Sequence, residues 1–229
     1  MIQLHSPIIH RAQLTLSKKQ IVSASRIISR KVFSSKTTDM DTNQTPATAD
    51  LCDAHIPSPT RLQIVQPDIT RFQSYGKRSS FHGRVHTIRC FESNPLVREV
   101  LSSPPSPLSG EDGETEPLSP DVKYKHGHVL VVDGGGSHRC AIMGDMLATF
   151  ATENGWNGVV INGYIRDSKI INTLDIGVKA LGTHPLKSLK DYKGECGGRV
   201  SFGGVEFVQG DYLYSDEDGI VVSEVPLEA

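Results

Sequence analysis

One aspartate and an Arg-Asp pair stand at the two ends of the segment GDMLATFATENGWNGVVINGYIRD, residues 144–167. Twenty residues lie between Asp145 and Arg166, and Asp167 follows directly. Carboxylates bind divalent cations or move protons, and a guanidinium binds a carboxylate or an enolate oxygen through two parallel hydrogen bonds. The spacing therefore indicates proton transfer or metal-assisted chemistry on a small anion. The structural alternatives are a helix cap at Asp145 and a surface ion pair between Arg166 and Asp167.

The backbone around these side chains is predicted to bind an anion. A helical pattern begins near Gly144, and the first N–H groups of a helix have no partner within it and lie at the positive end of its dipole. The runs VLVVD and VVING predict two parallel strands joined by this helix, whose carboxyl ends open on the same edge of the sheet. We therefore expect Asp145 and the Arg166–Asp167 pair to meet in one crevice.

The hydrophobic pattern along the rest of the chain predicts a mixed α/β domain. FHGRVHTIRCF (81–91) alternates like a half-buried strand, and DMLATFATEN (145–154) has Met146, Leu147, Phe150 and Ala151 on one helix face. Buried strands are predicted for HVLVVD, for GVVING at 158–163 and for GVKALGT at 177–183. Short strands joined by Gly-Asp turns are predicted for 200–223, and they favour a second, antiparallel layer.

Composition limits the classes of function. The chain has 229 residues, 37% of them hydrophobic, and a formal net charge of −2. This suits one domain with tails, and it provides no basic field for direct contact with nucleic acid. No apolar run approaches the ~20 residues of a membrane-spanning helix. The four cysteines are scattered and form no CxxC pair, which indicates reduced thiols rather than a zinc site or a disulfide framework.

The N-terminal segment, residues 1–45, has the composition of a targeting sequence. Its first 38 residues hold no Asp or Glu, but several Lys, Arg and Ser. Such composition is typical of organelle transit peptides, so we predict a disordered basic extension that directs the chain to the mitochondrion, ahead of the chloroplast. The alternative is a disordered tail or an upstream start, with Met40 as the working start and a cytoplasmic protein.

Residues 101–127 form a second region of unusual composition. The stretch LSSPPSPLSGEDGETEPLSPDVKYKHG carries five prolines and an acidic cluster. It has too few large apolar residues to offset the entropy of ordering. We therefore predict a disordered insertion in a surface loop of a catalytic domain that spans 46–225.

Several blocks of the sequence closely resemble one known family, in the right order. These blocks are VLVVDGGGSHRCAIMGDMLA, NGWNGVVINGYIRD, DIGVKALGTHPLKS and GDYLYSDEDGIVVS. They resemble the family named for regulator of ribonuclease E activity A, which includes class II 4-hydroxy-4-methyl-2-oxoglutarate aldolases. The resemblance covers roughly 48–100 and 127–224. It implies a swivelling β/β/α (RraA-like) domain with mixed sheets, and a homotrimer with sites near the subunit interfaces.

The resemblance also assigns roles to the residues of the opening segment. In the family's aldolases a D-x20-R-D pattern carries activity, and Asp145, Arg166 and Asp167 match it without a gap. Asp145 and Arg166 are thereby implied to be catalytic, with Arg166 also binding substrate and Asp167 associated with the metal. The family's substrate-binding turn falls on four consecutive residues: Gly144, Asp145, Met146 and Leu147.

The activity implied is a metal-dependent aldol cleavage. The substrate is 4-hydroxy-4-methyl-2-oxoglutarate, a 2-oxo acid, the products are two pyruvate, and the cofactor is Mg²⁺ or Mn²⁺; oxaloacetate decarboxylation is the implied side activity. A Schiff-base aldolase would need a buried lysine, and Lys169, Lys179 and Lys187 are disfavoured because none lies in an apolar run. The alternative function is a non-enzymatic trimeric regulator that binds and inhibits a ribonuclease or an RNA helicase, and the presence of Asp145 argues against it.

Overall fold

The computed structural model of the chain describes residues 44–55, 62–108, 127–191 and 193–228. Nearly all of the predicted N-terminal extension and most of the predicted insertion therefore lie outside the described residues. Four helices occur in the described part: α1 (Thr48–His55), α2 (Pro95–Leu101), α3 (Asp145–Glu153) and α4 (Ser168–Ile171). Among these residues no helix has both the length and the apolar character needed to cross a membrane.

The strands of the described residues fall into three groups along the chain. Before the second helix come β1 (Leu62–Ile64), β2 (Gln73–Tyr75) and β3 (Phe81–Arg89). The middle group is β4 (Gly127–Asp133), β5 (Ala141–Met143), β6 (Gly158–Ile165) and β7 (Gly177–Thr183). The last group is β8 (Glu195–Cys196), β9 (Arg199–Phe202), β10 (Val205–Val208), β11 (Tyr212–Ser215) and β12 (Ile220–Ser223).

Most strands join one mixed sheet. Its order is β1-β12-β11-β3-β4-β6-β7-β2, with β5 paired to β6 and β8 paired to β3. The four central strands β3, β4, β6 and β7 are parallel, and antiparallel strands flank them on both sides. Strands β9 and β10 form a separate hairpin. The mixed α/β architecture predicted from the sequence is confirmed.

Alternation along the central strands builds a core on each face of the sheet. On β4, Leu130 and Val132 pack into the core that contains the helices, whereas Val129 and Val131 pack into the core beneath the β9–β10 hairpin. Side chains of a strand point to opposite faces in turn, so a strand covered on both faces is apolar throughout. The layers are therefore hairpin, sheet and helices, which is the β/β/α order that the resemblance implies.

Three details of the sequence prediction are wrong. Strand β3 is buried along almost its whole length rather than half-buried, because it lies between β11 and β4 in the middle of the sheet. Met146 does not join the buried face of α3, which is formed by Leu147, Ala148 and Ala151. The second antiparallel layer is confined to the β9–β10 hairpin, since β11 and β12 continue the main sheet.

The predicted insertion is too wide at both ends. Leu101 is the buried last residue of α2, and Gly127 is the first residue of β4. Between them, Trp156 donates its indole N–H to the carbonyl of Ser103 (3.2 Å), and Leu108 is buried. Leu101 and Ser103 therefore belong to the packed domain. The prediction of disorder for 109–126 lies outside the described residues.

Candidate active site

A cleft of about 220 Å³ lies where several parallel strands end. Gly144 follows β5, Arg166 follows β6, Lys187 lies in the segment after β7, and Arg98 lies on α2, which follows β3. Open α/β sheets bind ligands beyond the carboxyl ends of their strands, because the loops there converge from neighbouring strands. The cleft thus has the position expected of a ligand site in this architecture.

The turn into α3 forms one wall of the cleft. Gly144 is the N-cap residue in an extended conformation, and no side chain caps the helix there. The first hydrogen bond closed within the helix runs from the N–H of Ala148 to the carbonyl of Gly144 (3.1 Å). The N–H groups of the first turn are therefore not used by the helix, and they lie at the positive end of its dipole.

Asp145 is the first residue of α3, and it lines the cleft. Its Oδ1 accepts a hydrogen bond from the N–H of Met146 (2.7 Å). This bond makes Asp145 a local partner for the first helical turn, although Gly144 occupies the N-cap position. Among the described residues, the other carboxylate oxygen accepts no hydrogen bond, so the negative charge remains available to the cleft.

The Arg166–Asp167 pair lies against this turn. Arg166 Nε is 3.3 Å from Asp167 Oδ2, and the N–H of Arg166 donates to the carbonyl of Met143 (2.9 Å). Both side chains are more than a third exposed. The prediction that Asp145 and the Arg-Asp pair share one crevice agrees with this geometry for Arg166, which lines the cleft with Asp145. Asp167 borders it through its contact with Arg166.

Gly144 is the residue at which the α3 turn meets the Arg166–Asp167 pair. A Cβ at this position would lie 2.7 Å from Asp167 Oδ2 and 3.1 Å from Arg166 Nε. The backbone of Gly144 (φ −129°) is one that any residue adopts, so the glycine is required by this close approach and not by its conformation. The absence of a side chain lets the guanidinium and the carboxylate contact the helix turn directly.

Asp167 has features that suit a sparse metal site. It is one of two non-glycine residues with positive φ in the described chain (φ 57°, ψ 32°), and it makes no side-chain cap on α4. A left-handed backbone costs a residue of this kind about 1–3 kcal/mol, and such strain concentrates at functional sites. No three His, Cys, Asp or Glu side chains converge within the described residues. One carboxylate still fits Mg²⁺, which keeps several waters and commonly takes one or two protein carboxylates.

Sequence reasoning missed much of the opposite wall. Arg98, Lys187 and Lys190 line the cleft together with Asn94. Only Lys187 was considered from the sequence, and then for a different chemistry. The spacing in PLKSLKD, with two lysines three residues apart in the segment after β7, was the signal that could have found this wall.

Lys179 is buried in the middle of β7, so the prediction that it lies outside an apolar run is wrong. Its ammonium donates to Ser74 Oγ (2.8 Å) and to the backbone carbonyl of Asp216. Burial lowers the pKa of Lys179, and the nearby carboxylates of Asp216 and Glu217 offset this only in part. Lys179 does not line the cleft, so its hydrogen bonds to Ser74 and Asp216 have a structural role.

The chain was compared with known proteins. Residues 122–222 match the family model described as RraA-like, Aldolase/RraA. A protein of Aromatoleum aromaticum is 48% identical over 79% of this chain and 97% of its own length, and one of Dechloromonas aromatica is 49% identical over 77% and 94%. The chain belongs to the RraA-like family. Both relatives bear the name "putative 4-hydroxy-4-methyl-2-oxoglutarate aldolase".

Two solved structures share the fold of this chain. A Geobacillus kaustophilus structure, titled S-adenosylmethionine: 2-dimethylmenaquinone methyltransferase, superimposes with a TM-score of 0.66 at 42% identity and covers 79% of this chain and 96% of its own. The RNA-processing inhibitor RraA from Thermus thermophilis gives 0.66 at 36% identity, with coverages of 81% and 97%. Because these titles differ, the RraA-like fold alone does not decide the activity, and the site has to.

Proposed function

We propose that this RraA-like domain is a divalent-metal-dependent aldolase that cleaves 4-hydroxy-4-methyl-2-oxoglutarate to two pyruvate. The observation that carries the proposal is the contact of Arg166 and Asp167 with the α3 turn at Gly144. This contact brings together a backbone anion site, a fixed positive charge and a hard carboxylate ligand. The aldolase name of relatives at 48% and 49% identity supports the same activity.

Substrate binding begins at the helix turn. The carboxylate next to the 2-oxo group accepts hydrogen bonds from the turn Gly144–Leu147, where the helix dipole favours negative charge. The N–H of Met146 already donates to Asp145 Oδ1, so the other N–H groups of this turn are the donors. The guanidinium of Arg166 lies beside the same turn and faces the neighbouring 2-oxo oxygen. Its charge is already in place when the reaction begins, so no reorganisation is needed as negative charge develops there.

Bond cleavage needs a base and a place for the electron pair. A water held by Asp145 takes the proton of the C4 hydroxyl, and the C4 carbonyl forms as the C3–C4 bond breaks. The bonding pair moves to C2–C3, and the enolate oxygen on C2 is stabilised by Arg166. Protonation of C3 then gives the second pyruvate. The oxygens and protons balance without any redox partner.

Asp167 is the residue that would hold the divalent cation. When bound, Mg²⁺ or Mn²⁺ supplies Lewis-acid polarisation of the 2-oxo carbonyl. The strained backbone of Asp167 and the contact with Arg166 fix the direction of its carboxylate. Oxaloacetate is a further substrate on this proposal, because loss of carbon dioxide from it produces the same pyruvate enolate beside Arg166.

The test is pyruvate release measured with lactate dehydrogenase, from the aldol substrate and from oxaloacetate, with Mg²⁺ and with a chelator. Asp167→Asn is the sharpest variant, because asparagine tolerates the left-handed backbone but removes the charge. We expect metal-dependent turnover in the wild type and its loss in Asp167→Asn.

The kcat/KM of Arg166→Lys should be roughly 10² to 10³ lower than that of the wild type, since lysine cannot reproduce the planar fork of the guanidinium. Arg71→Lys, an exposed arginine outside the cleft, is the control.

The alternative function, a non-enzymatic regulator, predicts the opposite result in the pyruvate-release assay. A non-catalytic ring that inhibits a ribonuclease or an RNA helicase would release no pyruvate with either metal, and its Asp167→Asn and Arg166→Lys variants would behave alike. Turnover near the uncatalysed rate in the wild type, together with direct inhibition of a ribonuclease, would replace the aldolase proposal with this one.

A further inference from the structure

Three basic side chains line the cleft in addition to Arg166, and we call Arg98, Lys187 and Lys190 the cationic wall. Arg98 comes from α2, whereas the two lysines come from the extended segment after β7. That segment runs beside β5, with a parallel bridge between Ala141 and Lys187. The wall is thus built from two separate parts of the chain that converge on the α3 turn.

Asn94 fixes the wall to the rest of the site. Lys190 Nζ donates to Asn94 Oδ1 (2.6 Å), and Asn94 Nδ2 donates to the carbonyl of Ile142 (2.6 Å). Asn94 is buried, and Ile142 lies on β5, two residues before Gly144. The ammonium of Lys190 therefore has a defined position relative to the backbone turn that binds the first carboxylate.

The positive charge of the wall is not neutralised by the protein. Within the described ranges, none of its three members forms an ion pair with a carboxylate. Burial lowers the pKa of Lys190, and repulsion from Arg98, Lys187 and Arg166 lowers it further. Asp145 is the carboxylate that lines the same cleft. Asp167 adds a second acid through its contact with Arg166 (3.3 Å), so four basic groups against two acids still leave an excess of positive charge that a second anionic group would relieve.

We propose that the cationic wall binds the second carboxylate of a dicarboxylic 2-oxo acid, and that Arg98 and Lys187 set selectivity against monocarboxylic 2-oxo acids. The inference rests on the proposed function for the placement of the first carboxylate at Gly144–Leu147. A dicarboxylate then spans the cleft from the α3 turn to the wall. Charge-assisted hydrogen bonds to the second carboxylate orient the scissile bond between the two ends.

The test compares two ligands of equal carbon number, 2-oxoglutarate and 2-oxopentanoate, by titration calorimetry at one fixed Mg²⁺ concentration. The variants are Arg98→Met and Lys187→Met, which keep the aliphatic volume and remove the charge. Lys190 is left intact because its loss would also free Asn94. Arg71→Met is the matched control, an exposed arginine that does not line the cleft.

We expect the wild type to prefer 2-oxoglutarate, and each wall variant to weaken its binding roughly tenfold or more while leaving 2-oxopentanoate within about twofold. Arg71→Met should change neither. Equal weakening of both ligands, or unchanged 2-oxoglutarate binding in both variants, would overturn the proposal. Because the readout is binding, the experiment separates the role of the cationic wall from the aldolase activity. A wild type that prefers the dicarboxylate but releases no pyruvate would support the role of the wall and contradict the aldolase proposal.

Discussion

At the scale of single residues, the site depends on the lack of a side chain at Gly144. Gly144 has ordinary backbone angles, yet a Cβ there would meet Asp167 Oδ2 at 2.7 Å and Arg166 Nε at 3.1 Å. These contacts, and a third with Arg166 Cγ at 3.2 Å, are with two partly exposed side chains and not with backbone, so the side chains can move aside at little cost to the fold. A methyl group at this position is therefore expected to displace the chemistry and spare the stability.

Gly144→Ala is the corresponding prediction. We expect kcat/KM for pyruvate release to fall about 10²-fold, since a displacement on the order of 1 Å at a reacting group has an effect of this size. The melting temperature should stay within a few degrees of the wild type. Gly219→Ala is the control, because nothing lies within 4 Å of a Cβ there. Unchanged kcat/KM in Gly144→Ala would mean that the contact with Arg166 and Asp167 does not matter for turnover.

Substitution of Asp145 distinguishes a capping role from a catalytic role. In Asp145→Asn the amide oxygen can still accept the hydrogen bond from the N–H of Met146, so stability should not change measurably. The negative charge is lost, and turnover should fall by ~10² or more if Asp145 organises the water that takes the proton. Glu153→Gln, which removes an exposed acid from the same helix, should retain full activity. A stable, fully active Asp145→Asn protein would reduce this residue to a structural partner of its helix.

The sequence predicts the acid and Arg-Asp side chains of the site but not its basic wall. The segment from Gly144 to Asp167 is one helix–strand unit, and the geometry of parallel strands dictates that its two ends meet. Arg98, Lys187 and Lys190 come from two other segments that no local pattern connects to this unit. Only the sheet order, with β3 and β7 on either side of β4 and β6, brings them to the same cleft.

At the scale of elements, helix α1 is attached to the sheet by the packing of Leu51 against Tyr214 and Val221 and by one buried carboxylate. Asp216, in the turn between β11 and β12, accepts bonds from the N–H of Thr48 (2.7 Å) and from its hydroxyl (2.7 Å). Two further N–H groups of the same turn donate to it, those of Asp218 (3.0 Å) and Gly219 (3.2 Å). Burial raises the pKa of Asp216, but these hydrogen bonds lower it more, so its pKa lies below the usual value.

The attachment of α1 is predicted to weaken in acid. A carboxyl whose pKa is lower in the folded than in the unfolded protein stabilises the fold fully above its unfolded pKa, about 4, and this contribution disappears as pH falls through the folded value. Thr48→Val should cost about 1–3 kcal/mol at neutral pH, and the difference from wild type should narrow below about pH 4. Urea unfolding at several pH values measures this. Asp218→Asn, at an exposed acid of the same turn, serves as control, and a pH-independent cost of Thr48→Val would contradict the account.

The predictions of helices and strands are confirmed where the local hydrophobic pattern is clear. GVKALGT coincides with β7, and VLVVD lies within β4, because both are apolar on two faces and bounded by polar or glycine residues. They fail where tertiary contacts decide. Ser103 lies in a Pro- and Ser-rich stretch typical of disorder, yet the indole of buried Trp156 donates a hydrogen bond to its carbonyl and holds it on the domain.

At the scale of the whole molecule, three large apolar side chains are exposed in the segments that line the cleft, and we call Met146, Leu186 and Leu189 the apolar rim. Met146 is 48% exposed, and Leu186 and Leu189 are each 60% exposed in the segment that carries the wall lysines. Exposed apolar side chains beside a charged cleft are typical of a surface that another protein covers. Because the resemblance to the aldolases implies a homotrimer with sites near the subunit interfaces, we propose that the rim contacts a second copy of the chain.

A double substitution of the rim tests this assembly. We expect the wild type to have the light-scattering mass of three 25.0 kDa chains. Leu186→Glu together with Leu189→Glu should reduce it to one, because paired carboxylates cannot be desolvated in an interface without partners. Ile69→Glu is the control: this side chain is 63% exposed and lies near Gly204 of the β9–β10 hairpin, not on the rim. A wild type that is monomeric over the whole concentration range, or a double variant that stays trimeric, would remove the rim from the interface. If dissociation also abolishes pyruvate release while the melting curve still shows a cooperative fold, the neighbouring subunit contributes to the cleft.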